Sequence, residues 1–269
     1  MDAKLFGTVD RPAAILVGTW DPFLPAYRGI LRQLVRHTRE KGQAPVAVLL
    51  DPPPQTFFKG PAHYSVYTGP RARVQRLLAE GMDGVLRIDF SKPDLDLGAY
   101  DLLNLVRSHI PLAEVWMRPD QTFGRAARGS LFALALYAKK HGLIWKSLAP
   151  IQVKLTAGQV QLALQEGRVV PARAIVGLPP VWERPDSGEL RLAWKPGVYE
   201  AVPLREPDDK LTGDTVIVEL RPDADGMSSL SWPRPDVEYL AFVRGPGDSA
   251  AEQRSVAPVA LPGYGRVTA

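Results

Sequence analysis

The chain has 269 residues, 45% of them hydrophobic and 23% charged, with 26 prolines, four histidines and no cysteine. That length supports one large domain or two modest ones, and the apolar share is too high for a disordered chain. The lack of cysteine excludes disulfides, thiolate metal sites and cysteine nucleophiles, and no apolar run approaches the roughly 20 residues that cross a bilayer.

Lysine and arginine number 33 against 29 aspartates and glutamates, a net charge of +4. These cations are scattered, whereas nucleic-acid binders concentrate them on one face or in one run, so a solvated surface and no nucleic-acid partner are expected. The opening MDAKLFGTVDRP has no basic segment leading into an apolar stretch, so a secretory signal is not expected and a cytoplasmic location is.

Ala13 to Trp20 is nearly all apolar, as a parallel strand covered on both faces should be. Tyr27, Ile30, Leu31, Leu34 and Val35 then recur at helical spacing up to Lys41-Gly42. The pattern repeats: strand Pro45–Leu50, helix Arg71–Glu80 before Gly81, strand Gly84–Ile88, helix Leu97–Ile110, strand Leu112–Met117, helix Ser130–His141 before Gly142, and strand Leu143–Trp145. Glycine suits the left-handed residue that closes a helix. Strands alternating with helices predict a parallel α/β sheet of the Rossmann-like kind.

After about residue 168 the pattern changes. Thirteen of the 26 prolines lie within 171–269, and the apolar runs are short and strand-like: Leu190–Trp194, Val198–Val202, Thr215–Leu220 and Tyr239–Val243. A smaller, mostly antiparallel β domain is expected here. The division predicted is a first domain over 1–168, a β domain over 169–248 and a loosely held tail over 249–269.

Ligands of open α/β sheets bind at the carboxyl ends of the strands, near helix N-termini. The first such place is Gly18-Thr19-Trp20-Asp21-Pro22-Phe23-Leu24-Pro25-Ala26-Tyr27. Pro25 fits the first turn of the helix, whose free N–H groups would attract phosphate, with Arg28 beside them. A tight strand–helix turn with a solvated arginine fits the same residues.

This stretch resembles the first-strand signature of bacterial bifunctional riboflavin kinase/FAD synthetases, Gly-Asn-Phe-Asp-Gly-Val-His-x-Gly-His. The resemblance continues in order. Asp51-Pro-Pro-Pro54 stands for Glu-Pro-His-Pro, and Tyr67-Thr68 and Leu77–Val85 resemble the segment leading to Gly-Val-Asp, with Ile88-Asp-Phe90 after it. Arg118-Pro-Asp-Gln-Thr-Phe-Gly124, with Gly129 behind it, is similar to Gly-x-Asp-Phe-x-Phe-Gly. Gln165–Val169, Val176–Pro180 and Lys195–Ala201 resemble later stretches, Glu-Gly-Asp-Val, Leu-Gly-Arg-Pro-Tyr and the Gly-Val-Tyr-Ala strand.

The resemblance implies a nucleotidyltransferase fold that binds ATP and FMN in its first half and transfers AMP to give FAD. Such transfer relies on cations and N–H donors placed around the phosphates. The residues it assigns to nucleotide or flavin are Gly18, Thr19, Asp21, Arg28, Asp120, Phe123, Gly124, Arg125 and Thr156. Trp20, Phe23, Tyr27 and Trp116 offer rings for stacking or for the core, the core being favoured for Trp116. For Asp120, capping the helix that carries Arg125 and Arg128 fits equally well.

Three departures matter. Leu24 and Tyr27 stand where the signature has its histidines, with Ala26 for the glycine between them. Counting back from Gly167, the second phosphate signature, Ser-Ser-Thr-x-Ile-Arg, falls on Thr156–Gln161, so Gln161 replaces its arginine. Losing one preorganised donor costs about 10²–10³ in rate. The kinase half lacks its Gly-Phe-Pro-Thr-Ala-Asn motif, and Glu219 reads better as an exposed strand residue than as a catalytic glutamate. No histidine spacing, nucleophile elbow or Walker loop offers other chemistry, and no metal site is expected.

Three function classes are open to such a chain. The first is an FAD-synthetase-like pseudoenzyme that binds a nucleotide (ATP), a flavin (FMN or FAD) or a protein. The second is an active divergent FMN adenylyltransferase in which Arg28, Arg125 or Lys154 replaces the lost charge. The third is an assembly module that docks a protein through the proline-rich second half. The joint loss at positions 24, 27 and 161 favours the first.

Overall fold

The computed structural model describes residues 3–60, 62, 64–90, 98–119, 121–123, 129–149, 154–207, 211 and 214–254. The first half comprises β1 (Ala3–Gly7), β2 (Ala13–Gly18), α1 (Pro25–Glu40), β3 (Ala44–Asp51), α2 (Pro54–Lys59), α3 (Pro70–Ala79), β4 (Gly84–Asp89), α4 (Ala99–His109), β5 (Leu112–Met117), α5 (Leu131–His141), β6 (Ile144–Ser147) and α6 (Lys154–Gln165). The remainder comprises α7 (Val169–Val176), β7 (Val181–Glu183), β8 (Glu189–Leu192), β9 (Gly197–Leu204), β10 (Val216–Pro222), β11 (Ser228–Ser231), β12 (Tyr239–Arg244) and α8 (Ala250–Arg254).

The first sheet runs β1-β4-β3-β2-β5-β6. Its strands pair in parallel except β1, which joins β4 antiparallel. Strand alternation divides its side chains between two cores. Ala14, Leu16, Ala47, Leu49 and Trp116 face α1 and α3, while Ala13, Ile15, Val46, Val48 and Val115 face α4 and α5. The apolar stripe of α1 seats Ile30, Leu31, Leu34 and Val35 on the first face. Gly42, Gly81 and Gly142, beyond α1, α3 and α5, all have positive φ, as their place in the sequence predicts.

A second sheet, β7-β12-β9-β10-β11-β8, is antiparallel throughout. The chain is therefore a mostly parallel α/β layer followed by an antiparallel β unit, the expected fold class. The two share a core: Leu190, Trp194, Tyr199 and Phe242 belong to the same buried cluster as Leu16, Trp20, Phe23 and Leu24. The stretch Thr156–Gln161, read as a phosphate signature, lies within α6.

Candidate functional site

The sheet order reverses beside β2, whose neighbours β3 and β5 lead away in opposite directions. A crevice for ligands belongs at the carboxyl ends of β2 and β5. Here the Gln121 amide donates to the Val17 carbonyl at 2.8 Å, across that gap. The cavity lined by Val17, Trp116, Met117, Gln121 and Phe123 holds about 10 Å³, room for one water at most.

The turn after β2 is buried. Gly18 leads into Trp20, where an added Cβ would lie 3.1 Å from the indole. Trp20 takes a left-handed backbone, φ 53°, which a bulky residue rarely adopts, and its Nε1 donates to the Val48 carbonyl at 3.2 Å. Trp20 and Phe23 are core residues, and so is Trp116, whose Nε1 donates to Glu114. Thr19 offers its carbonyl to Arg73 Nη1 at 3.0 Å.

Asp21 is 3% exposed and accepts the backbone N–H groups of Tyr67 at 2.8 Å and Thr68 at 2.9 Å. Burial pushes its pKa up to about 6, against the pull of Arg73, the two amides and Arg76. Arg73 is ion-paired with Asp51, which Arg87 Nε also bonds at 2.8 Å. Asp21 thus pins the 64–68 segment across the strand ends.

Leu24 is the residue before α1, 1% exposed and without a side-chain capping bond, so the helix head meets a core leucine where the signature it resembles has a histidine. Tyr27 sits edge-on to Trp20 at 5.8 Å, with the Arg118 guanidinium 5.7 Å from its ring. Arg28 Nη2 lies 3.4 Å from the carbonyl of Val176, at the end of α7, rather than at the head of α1.

Tyr64, unremarked in the sequence, links these positions. Its hydroxyl donates to the Asp21 carbonyl at 3.4 Å and accepts a hydrogen bond from the Gln161 side chain. Burial, with Asp21 and Tyr27 close by, pushes its pKa well up, so it is a neutral phenol. The two eroded signatures therefore meet: Tyr27 from the first and Gln161 from the second flank one buried tyrosine. No feature of the sequence marks Tyr64, because its partners are 43 and 97 residues away.

Phe123 exchanges backbone bonds with Gly129 at 3.1 and 2.8 Å and packs on the α4–α5 core. Thr156 lies in the first turn of α6. Asp120, Gly124, Arg125, Arg128 and the Lys154 side chain lie outside the described residues. The α5 cap is Ser130, whose Oγ accepts from Ala133 N–H at 3.3 Å. Glu219 is exposed and paired with Arg221. His37 Nε2 meets both oxygens of buried Glu114, at 3.0 and 3.1 Å, a pairing that sequence spacing does not reveal. Among the described residues no group of three acidic or histidine side chains could hold a metal, and no helix is long and apolar enough to cross a membrane.

The FAD synthetase family model matches residues 8–159, more than half of the chain. The protein belongs to that family. A crystal structure described as a macrolide-efflux protein from Streptococcus pneumoniae is similar, with a TM-score of 0.59 at 14% identity over 91% of this chain and 88% of that one. At that identity the likeness shows a common fold. No curated protein matches the sequence.

Proposed function

We propose that this member of the FAD synthetase family has lost adenylyl transfer and keeps the scaffold as a binding protein. One observation carries this: Tyr64, hydrogen-bonded by Gln161 and flanked by Tyr27, fills the place where both phosphate signatures meet. A triphosphate there would need cations and open N–H groups. In their place stand a neutral phenol, a carboxamide and the core residue Leu24.

FMN, FAD or ATP remain the ligands to be tested, with Gly18, Thr19, Asp21, Arg28, Asp120, Phe123, Gly124, Arg125 and Thr156 as the positions that would answer to them. The same reading divides the chain into a synthetase-like half over 1–168, a reduced riboflavin-kinase-like half over 169–248 and a tail over 249–269. It places the protein in the cytoplasm, where ATP and flavin are available, with the second half as the surface for a protein partner.

The test is to incubate the protein with FMN, ATP and magnesium and separate the products by chromatography, with titration calorimetry in parallel. No FAD is expected, and multiple-turnover FAD formation overturns the proposal. A Leu24→His/Tyr27→His/Gln161→Arg variant carrying Tyr64→Ala is expected to gain ATP binding.

A further inference from the structure

We propose that β6 and α5 form a two-fold interface between two copies of this chain. β6 ends the first sheet, so its outer row of N–H and C=O groups faces no strand among the described residues. All four of its residues are exposed, with Ile144 at 50% and Trp145 at 40%. Beside it, α5 is apolar on both sides. Leu134 and Tyr137 face the sheet, while Phe132 and Leu136, one turn apart, are 73% and 48% exposed. A helix apolar all round belongs in an interior.

A second copy can occupy this edge with its faces in register, and the area it would bury argues for it. Trp145 pairs with Val115 and Ser147 with Met117, on the face that α5 covers, whereas Ile144 and Lys146 pair with Glu114 and Trp116 on the opposite face. A two-fold axis perpendicular to the sheet preserves these faces, so only residues of the same parity can oppose each other. The antiparallel register centred on Trp145 sets Trp145 against its own copy and Ile144 against the second Lys146. It also lays α5 antiparallel to its copy on the same face, bringing Phe132 and Leu136 towards their counterparts. The Lys139, Lys140 and His141 ends of the two helices then lie apart.

The four apolar side chains expose on the order of 400 Å² per copy. Two copies and the paired strand edges together approach the ~1,200 Å² at which specific interfaces begin. The result would be one continuous sheet of 12 strands, six from each copy.

The cysteine-free sequence makes the test direct. Sedimentation velocity over a concentration series should show a reversible dimer. Trp145→Glu should raise its dissociation constant at least 100-fold, and Phe132→Glu, on the solvent side of α5, at least 10-fold without loss of fold. In the proposed register the two Cα atoms of position 145 lie about 4.5–5.5 Å apart, within disulfide reach, while those of position 144 lie about 7–8 Å apart. Trp145→Cys should therefore form a covalent dimer under mild oxidant at least 10-fold faster than Ile144→Cys. A chain that stays monomeric at hundreds of micromolar overturns the proposal, whether water or another protein covers the face. So does a dimer indifferent to Phe132→Glu and to the position of the cysteine.

Discussion

The Asp21 carboxylate holds the backbone of Tyr67: Oδ2 accepts its N–H at 2.8 Å, while Oδ1 takes that of Thr68 at 2.9 Å. The motif resemblance assigns Asp21 to a nucleotide, and its oxygens here bond to the segment that carries Tyr64. A carboxylate gives each of these two adjacent, buried N–H groups an oxygen of its own.

That bond has a pH signature. Burial raises the Asp21 pKa from 3.8 to about 6, so between those values the folded state holds more protons than the unfolded state. The stability that comes from holding this proton in the folded state is complete below pH 3.8 and is lost as pH rises through about 6. Asp21→Asn cannot titrate, and its amide turns a donor towards one of the two N–H groups. The stability gap between parent and variant should therefore narrow from pH 4 to pH 7 by on the order of 2–3 kcal/mol, measured by urea unfolding. Glu183, also raised by burial, titrates in both proteins and cancels in the difference. A gap that stays constant with pH would refute the assignment.

Asp51 and Arg73 predict a contrast between buried and exposed pairs. Arg73 is 1% exposed and also serves the Thr19 carbonyl, so Arg73→Ala leaves a buried carboxylate with Arg87 alone. The expected loss is about 3–5 kcal/mol. Arg191 bonds Asp223 at 2.7 Å and Asp225 at 2.8 Å, but its side chain is 47% exposed, and Arg191→Ala should cost less than about 1 kcal/mol. Equal losses in chemical denaturation would contradict the weight given to burial.

Two glycines should respond with opposite signs. Gly29 lies inside α1 with no atom within 4 Å of an added Cβ. Gly29→Ala relieves the entropy cost of a helical glycine and should stabilise by about 1 kcal/mol. An added Cβ at Gly245 would lie 2.1 Å from the Gly167 carbonyl oxygen, a backbone atom that cannot turn away. Gly245→Ala should cost about 2 kcal/mol or more, read as a fall in melting temperature.

The central architecture was legible because β2, β3 and β5 are buried on both faces and spell that burial as apolar runs. β1 carries no such signal: it is only five residues long and none of them is fully buried. α6 and α7 were missed because each carries a residue that usually interrupts helices. Gly158 is tolerated within α6, and Pro171 falls in the first turn of α7, where no N–H is needed. The losses at Leu24, Tyr27 and Gln161 were visible in one dimension. Their convergence on Tyr64, and the turn of Arg28 towards α7, depend on how distant segments pack, which neither periodicity nor spacing encodes.

Residues 1–168 should not fold cooperatively without the second sheet. The 64–76 segment is bonded along its length to residues beyond α7. Tyr67 Oη donates to Leu178 at 2.5 Å, Gly69 N–H to Val181 at 2.9 Å and Arg76 Nη2 to Pro179 at 3.0 Å. Ser65 Oγ donates to the Ala193 carbonyl at 2.5 Å, and Trp194 Nε1 returns to Val66 at 3.0 Å. Removing the second half would expose to water one side of the core around Trp20, Phe23 and Tyr67 and exchange these hydrogen bonds for bonds to water, at a net cost of about 0.5–1.5 kcal/mol each. Together with the apolar surface exposed, these losses are comparable to the ~5–15 kcal/mol by which a domain is stable. Calorimetry should show one transition for the full chain and none for the fragment. If the fragment melts cooperatively within a few degrees of the full chain, the shared core does not hold the halves together.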